Sequence, residues 1–119
     1  MPAILVVEDE ALVSFAISEA LRANNYDVIT VTNADDAIDI LESRNDVHTI
    51  FTDINMPGSM NGQKLAAAVR DRWPPVNIIV TSGNRVPRPG QLPPKSPFIA
   101  KPYHSAEVLE ALRSFEETS

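Results

Sequence analysis

The sequence predicts an α/β domain built on an open, doubly wound sheet of parallel strands. Short apolar runs alternate along the chain with stretches of helical periodicity, the order that joins parallel strands through crossover helices. The apolar runs lack polar alternation, as expected of strands covered on both faces. A length of 119 residues suits one core, so residues 1–119 are read as a single domain.

The first strand is the run Ile4, Leu5, Val6, Val7. Residues 11–23 follow as a helix in which Leu12, Ala16, Ala20 and Leu21 recur at helical spacing. Val28, Ile29, Thr30 and Val31 are all β-branched and predict a second strand. Asn33 is placed to cap a second helix carrying Ala37, Ile38 and Leu41, with Asp35 and Asp36 suited to its positive end. Residues 47–52 form a third strand, and residues 61–73 a third helix with Leu65, Ala68 and Val69 inward. Residues 76–81 and 97–100 read as the fourth and fifth strands, and residues 105–115 as a closing helix with Val108, Leu109 and Leu112 on one face.

One interval breaks this rhythm. A further helix is due between the fourth and fifth strands, yet five of the ten prolines, Pro87, Pro89, Pro93, Pro94 and Pro97, fall there. An interior proline removes a helical hydrogen bond and clashes with the preceding turn, at about 3 kcal/mol each. The interval is therefore expected to be a loop with at most one turn.

Composition excludes several functions. The net charge of −6 opposes direct binding to nucleic acid, and no Lys/Arg-rich run offsets it. The absence of cysteine removes disulfides and thiolate chemistry. No apolar stretch approaches the roughly 18–20 residues that cross a bilayer, and the N-terminal apolar run meets Glu8 and Asp9 too early for a signal peptide. The expected location is cytoplasmic, with no membrane partner.

Ligands of an open parallel sheet collect at the carboxyl ends of its strands. Here those ends are Glu8-Asp9-Glu10, Asp53, Thr81-Ser82 and Lys101-Pro102. Taken singly these are ordinary residues: a solvated acidic run, a turn aspartate, a strand-end threonine, a surface lysine. On one rim their chemistry is specific. Mutually repelling carboxylates are relieved by a hard cation such as Mg²⁺, which takes oxygen ligands and keeps positions open for phosphate oxygens. A carboxylate such as Asp53 can attack phosphorus to form an aspartyl phosphate. The transferring group needs charge stabilisation, which the metal, Lys101 and Thr81 could supply.

These residues resemble the response-regulator receiver family over nearly the whole chain. The acidic pair matches Glu8-Asp9, the phosphoacceptor matches Asp53 in Asp53-Ile54-Asn55-Met56-Pro57-Gly58, the switch hydroxyl matches Thr81, and the lysine matches Lys101 in Lys101-Pro102-Tyr103. The resemblance implies a flavodoxin-like sheet of five strands in the order 2-1-3-4-5, with helices on both faces and the fourth helix short or replaced by a loop. It implies Mg²⁺ held by Asp9, Asp53 and the backbone carbonyl of Asn55, with Glu8 reaching it through water. It also implies a cis peptide before Pro102 and a donor that is a sensor histidine kinase or a histidine phosphotransfer protein. Phe98 holds the position of the family's switch aromatic, and is equally readable as a core residue of a short strand. The first helix, at Ser14, Phe15 and Ser18, would dock the donor, although the Phe15 ring folded against the domain is the favoured reading. Departures are Glu8 for the commoner aspartate, the extra residue Ser59, and the proline-rich segment. The implied protein is a signalling switch rather than a turnover enzyme.

Three other readings stand beside this one. A Mg²⁺-dependent phosphatase with an aspartyl nucleophile often carries a second acid two residues on, where this chain has Asn55. A receiver-like binding module that is never phosphorylated would keep the fold alone. A flavodoxin-like cofactor binder would need a hydroxyl- and glycine-rich loop after the first strand, where Glu8-Asp9-Glu10 stands.

Overall fold

The computed structural model describes residues 3–56, 58, 60–83 and 86–118. Pro57 of the motif above, the extra residue Ser59, and residues 84 and 85 of the proline-rich interval lie outside the described residues. In chain order the elements are β1 (Ala3–Val7), α1 (Ala11–Ala23), β2 (Asp27–Val31), α2 (Ala34–Ser43), β3 (Val47–Asp53), α3 (Gly62–Arg72), β4 (Asn77–Ser82), β5 (Phe98–Ala100) and α4 (Ser105–Thr118). The five strands form one parallel sheet in the order β2-β1-β3-β4-β5.

Alternation along the strands divides the core between the two faces. Leu5, Val7, Ile50, Ile78 and Val80 pack beneath α2 and α3 with Ala37, Leu41, Leu65, Ala66 and Val69. Ile4, Val6, Phe51, Ile79 and Ile99 pack beneath α1 and α4 with Ile17, Leu21, Val108 and Leu112. All five residues of β1 are buried, which is why that run is continuously apolar. Asn33 and Asn61 cap α2 and α3 by accepting from the backbone N–H of Asp36 and Lys64.

The phase of α1 differs from the sequence reading. Ile17, Ser18 and Leu21 face the sheet, whereas Leu12 is 85% exposed and Ala16 is exposed. Two apolar stripes lie side by side on this helix; 17 and 21 meet the strands, and 12, 16 and 20 line a groove beside the β5–α4 connection. On α3 the fully buried alanine is Ala66, with Ala68 only half-buried.

No helix forms among the described residues between β4 and β5. Arg88-Pro89-Gly90-Gln91 makes a turn closed by Gln91 N–H donating to the Arg88 carbonyl at 3.0 Å, with Gly90 at φ +87°. Proline second and glycine third are the residues that a type II turn requires. The loop is tied down by Arg70, whose guanidinium donates to the Pro94 carbonyl, and by Leu92, which packs on the same core cluster as Phe98.

The start of α3 touches the end of β3 directly. Gly62 N–H donates to the Ile54 carbonyl at 2.8 Å, and a Cβ on Gly62 would lie 2.0 Å from the Asp53 carbonyl oxygen. Only glycine permits this approach, so α3 presses against the backbone that carries Asp53. Gly62→Ala should therefore lower stability by roughly 2–3 kcal/mol through overpacking, read as a reduced urea midpoint with unchanged slope. An unaltered midpoint would contradict this packing.

Candidate functional site

Four strand ends converge on one rim. Asp53 is the last residue of β3 and pairs across the sheet with Thr81 of β4, which pairs in turn with Ile99 of β5. The Ile54 N–H donates to the Thr81 carbonyl at 2.9 Å, and the Lys101 N–H to the Ser82 carbonyl at 3.0 Å, so the sheet carries its hydrogen bonding into the site loops. Glu8 follows β1, with its N–H on the Val31 carbonyl at 3.1 Å. The Lys101–Pro102 peptide is cis.

The Lys101 ammonium is the centre of the rim. Its Nζ lies 2.6 Å from Glu8 Oε1, 2.9 Å from Asp53 Oδ2 and 3.4 Å from Glu10 Oε1. The lysine side chain is 14% exposed, and those of Glu8 and Asp53 are still more buried. Glu8 uses both oxygens, since Oε2 accepts from the Glu10 N–H at 3.2 Å. Asp53 Oδ1 accepts from the Asn55 N–H at 3.2 Å. The Asn55 amide reaches Ser82 Oγ at 3.4 Å, tying the β3 loop to the end of β4.

The electrostatics follow from burial. Loss of water pushes the Glu8 carboxyl above its ordinary value, and the Lys101 hydrogen bond opposes this. Burial disfavours the Lys101 charge, but bonds to Glu8 and Asp53 outweigh it and hold the ammonium above the usual lysine range. The lysine is therefore a fixed positive charge at neutral pH.

Thr81 is buried, and its hydroxyl donates across to the Ile99 carbonyl of β5 at 2.6 Å. Phe98 is half-buried on β5 and packs against the core under α3. Tyr103, read in the sequence only as the aromatic end of the Lys101-Pro102-Tyr103 motif, meets Phe51 edge-on at 5.5 Å on the opposite face. Its position after a cis proline carries no periodic signal that would have exposed it.

Two sequence expectations for α1 need correction. Ser18 is 1% exposed and faces the sheet, so it cannot meet a partner. Phe15 does not fold against the domain; it is 64% exposed. Ser14 is half-buried beside it. Of the acidic run, Asp9 is exposed, and the carboxylates that gather are Glu8, Glu10 and Asp53, with one oxygen of each within 4.8 Å of the others. Glu10 is thus a rim residue that the sequence did not single out from its neighbours. An all-oxygen donor set of this kind suits a hard divalent cation such as Mg²⁺, which would share with Lys101 the task of balancing three carboxylates.

Known proteins resemble this chain in sequence and in fold. The response regulator receiver domain family matches residues 4–113. The response regulator protein FleR of Pseudomonas aeruginosa is 26% identical over 110 residues, covering 90% of this chain and 23% of FleR. The hydrogenase transcriptional regulatory protein HoxA of Cupriavidus necator is 39% identical over 80 residues, covering 67% of this chain and 16% of HoxA. The chain thus spans less than a quarter of either relative. Among solved structures, a response regulator receiver protein from Sinorhizobium medicae superposes with a TM-score of 0.88 at 25% identity, covering 95% of this chain and 92% of that one. Response regulator protein TrrA from Thermotoga maritima, in complex with Mg²⁺-BeF, gives 0.86 at 25% identity, covering 96% and 98%.

Tyr103 offers a pH test of the site's surroundings. Burial first, then the Glu8 charge, raise its hydroxyl from 10.0 to about 12, with Lys101 partly offsetting them. The neutral phenol is favoured in the folded state, so its stabilisation is complete below pH 10.0 and lost as pH rises towards about 12. The urea midpoint should fall across that window, and Tyr103→Phe should make the fall shallower. Equal slopes in the two proteins would contradict the burial of this hydroxyl.

Proposed function

The chain belongs to the response-regulator receiver family, and from that premise we propose that Asp53 accepts a phosphoryl group in a Mg²⁺-dependent reaction and thereby switches the domain. The observation that carries this reading is the Lys101 ammonium, held 2.9 Å from Asp53 Oδ2 and 2.6 Å from Glu8 Oε1 at the converging strand ends. A nucleophilic carboxylate and a fixed positive charge beside it are what attack on phosphorus requires.

Receiver domains of response regulators are phosphorylated by histidine kinases; for this chain the donor is the phosphohistidine of a sensor histidine kinase or a histidine phosphotransfer protein. Glu8 and Asp53, with Asp9 and the Asn55 carbonyl as the family resemblance implies, would hold the Mg²⁺. When bound, the ion neutralises charge that builds up on the transferring oxygens. TrrA, described in complex with Mg²⁺-BeF, supports the same chemistry here.

Asp53 Oδ attacks phosphorus in line as the bond to the histidine nitrogen breaks. Lys101 turns from Glu8 to an oxygen of the arriving group. The Thr81 hydroxyl leaves the Ile99 carbonyl, its present acceptor at 2.6 Å, to donate to a phosphate oxygen. The backbone of β4 and the Lys101 loop follow, biasing a two-state equilibrium in which the half-buried Phe98 takes part. Hydrolysis at Asp53 resets the switch, so the protein turns over no free substrate.

Docking uses the outer face of α1, where Leu12 and Phe15 stand exposed next to the rim and Ser14 beside them. An aromatic and an aliphatic anchor of this kind suit the side of a partner helix. The domain acts in the cytoplasm without direct contact with nucleic acid; no helix among the described residues is long and apolar enough to cross a membrane, and the net charge is −6.

With acetyl phosphate and Mg²⁺, the wild-type protein should gain one phosphoryl group by mass. Asp53→Asn should gain none while retaining its circular dichroism spectrum. Undiminished labelling of that variant would remove Asp53 from its role.

A further inference from the structure

Glu10 holds an unusual position for a carboxylate. It is the N-cap residue of α1, where an acidic side chain would ordinarily accept from the first helical N–H groups, yet it makes no such bond. Its Oε1 instead lies 3.4 Å from Lys101 Nζ. Of the three gathered carboxylates it is the one open to solvent, at 63% side-chain exposure, whereas Glu8 and Asp53 are buried. It also borders a cavity of about 650 Å³ between α1 and the β5–α4 connection, shared with Lys101, Pro102 and Tyr103. The Glu10 carboxylate is thus a solvent-open charge with an oxygen within 4.8 Å of an Asp53 carboxylate oxygen.

We propose that Glu10 is a specificity-determining residue that selects phosphoryl donors by their charge. This rests on Asp53 being the phosphoacceptor. Glu8, Asp9, Glu10 and Asp53 outweigh Lys101 and a bound Mg²⁺ by one negative charge, and Glu10 lies close enough to Asp53, within 4.8 Å between carboxylate oxygens, to act inside a Debye length of about 8 Å. Small donors of high negative charge are held back. Donors whose leaving group carries positive charge, as a protonated phosphoramidate or a phosphohistidine does, are held back less.

Two small donors isolate this effect because their chemistry at phosphorus is parallel. Acetyl phosphate is a dianion at neutral pH; the new bond joins Asp53 oxygen to phosphorus, and acetate departs with the electron pair of the broken P–O bond. Phosphoramidate is a zwitterion with a single net negative charge; the same bond forms, and the nitrogen, already protonated, departs as ammonia with the pair of the broken P–N bond. Neither transfer moves a further proton, so the two differ chiefly in the charge brought to the rim.

The test measures labelling rates of full-length wild type, Glu10→Gln and Glu10→Asp with each donor at saturating Mg²⁺, saturation being verified for every variant by titration. Glu10→Gln should accelerate labelling by acetyl phosphate roughly three- to ten-fold, the size expected of one exposed charge a few ångströms away. The acetyl phosphate to phosphoramidate rate ratio should rise roughly two- to three-fold, because the second donor carries half the net charge. Glu10→Asp should keep the wild-type ratio, and about 1 M salt should bring the ratio of Glu10→Gln back to it. An unchanged ratio in Glu10→Gln, with wild type still labelled at Asp53, would overturn the proposal and leave the phosphoacceptor intact. Absence of labelling in wild type would overturn the phosphoacceptor reading itself.

Discussion

The ammonium of Lys101 is the charge on which the carboxyl edge of this sheet depends. Glu8 and Asp53 end neighbouring strands and are buried side by side, an arrangement that costs free energy unless a cation stands between them. Lys101 supplies that cation from a third strand end, through bonds of 2.6 and 2.9 Å. Removing one partner from such a buried group leaves an uncompensated charge, typically at about 3–5 kcal/mol. In the proposed transfer, the same lysine that steadies the resting domain would follow the charge of a phosphoryl group on Asp53, which would link stability to switching.

The scaffold around this charge is rigid on one side and irregular on the other. Beneath Asp53, α3 begins at Gly62 with no room for a side chain, so the Asp53 backbone is pinned from below. Between Thr81 and Lys101 the described residues form no helix and run through a proline-directed turn at residues 88–91. Thr81, Ser82 and Lys101 are joined across β4 and β5 by backbone bonds, while the connection between those strands is held by Arg70 and Leu92. In the proposed switch, movement of the Thr81 hydroxyl would reach a loop anchored to α3 by the Arg70–Pro94 and Gln63–Gln91 bonds, in place of a packed helix.

Much of this was legible in the sequence, for physical reasons. Runs such as Ile4 to Val7 are apolar on both faces because both faces are covered, and that pattern places the strand ends where Glu8, Asp53, Thr81 and Lys101 sit. Prolines 87–97 forbid a helix on steric grounds alone. The phase of α1 was not legible: 12, 16 and 20 form one apolar stripe and 17 and 21 another, and periodicity cannot say which meets the sheet. The resemblance offered Ser18 for docking and Phe15 was read as folded inward, the reverse of their positions, because neither reading had the phase of α1. Glu10 was hidden in a run of three acids, where only the turn at the end of β1 decides which carboxylates reach the lysine. The approach of Gly62 to Asp53 joins residues whose contact no local pattern announces.

The most direct measurement of the central claim is the stability of Lys101→Met with and without Mg²⁺. Without the ion, this variant should lose about 3 kcal/mol relative to wild type, because Glu8 and Asp53 remain buried with no cation between them. Mg²⁺ should then stabilise the variant more than it stabilises wild type, since the ion now balances charges that the lysine formerly shared. A variant as stable as wild type, gaining no more from Mg²⁺ than wild type does, would contradict the account.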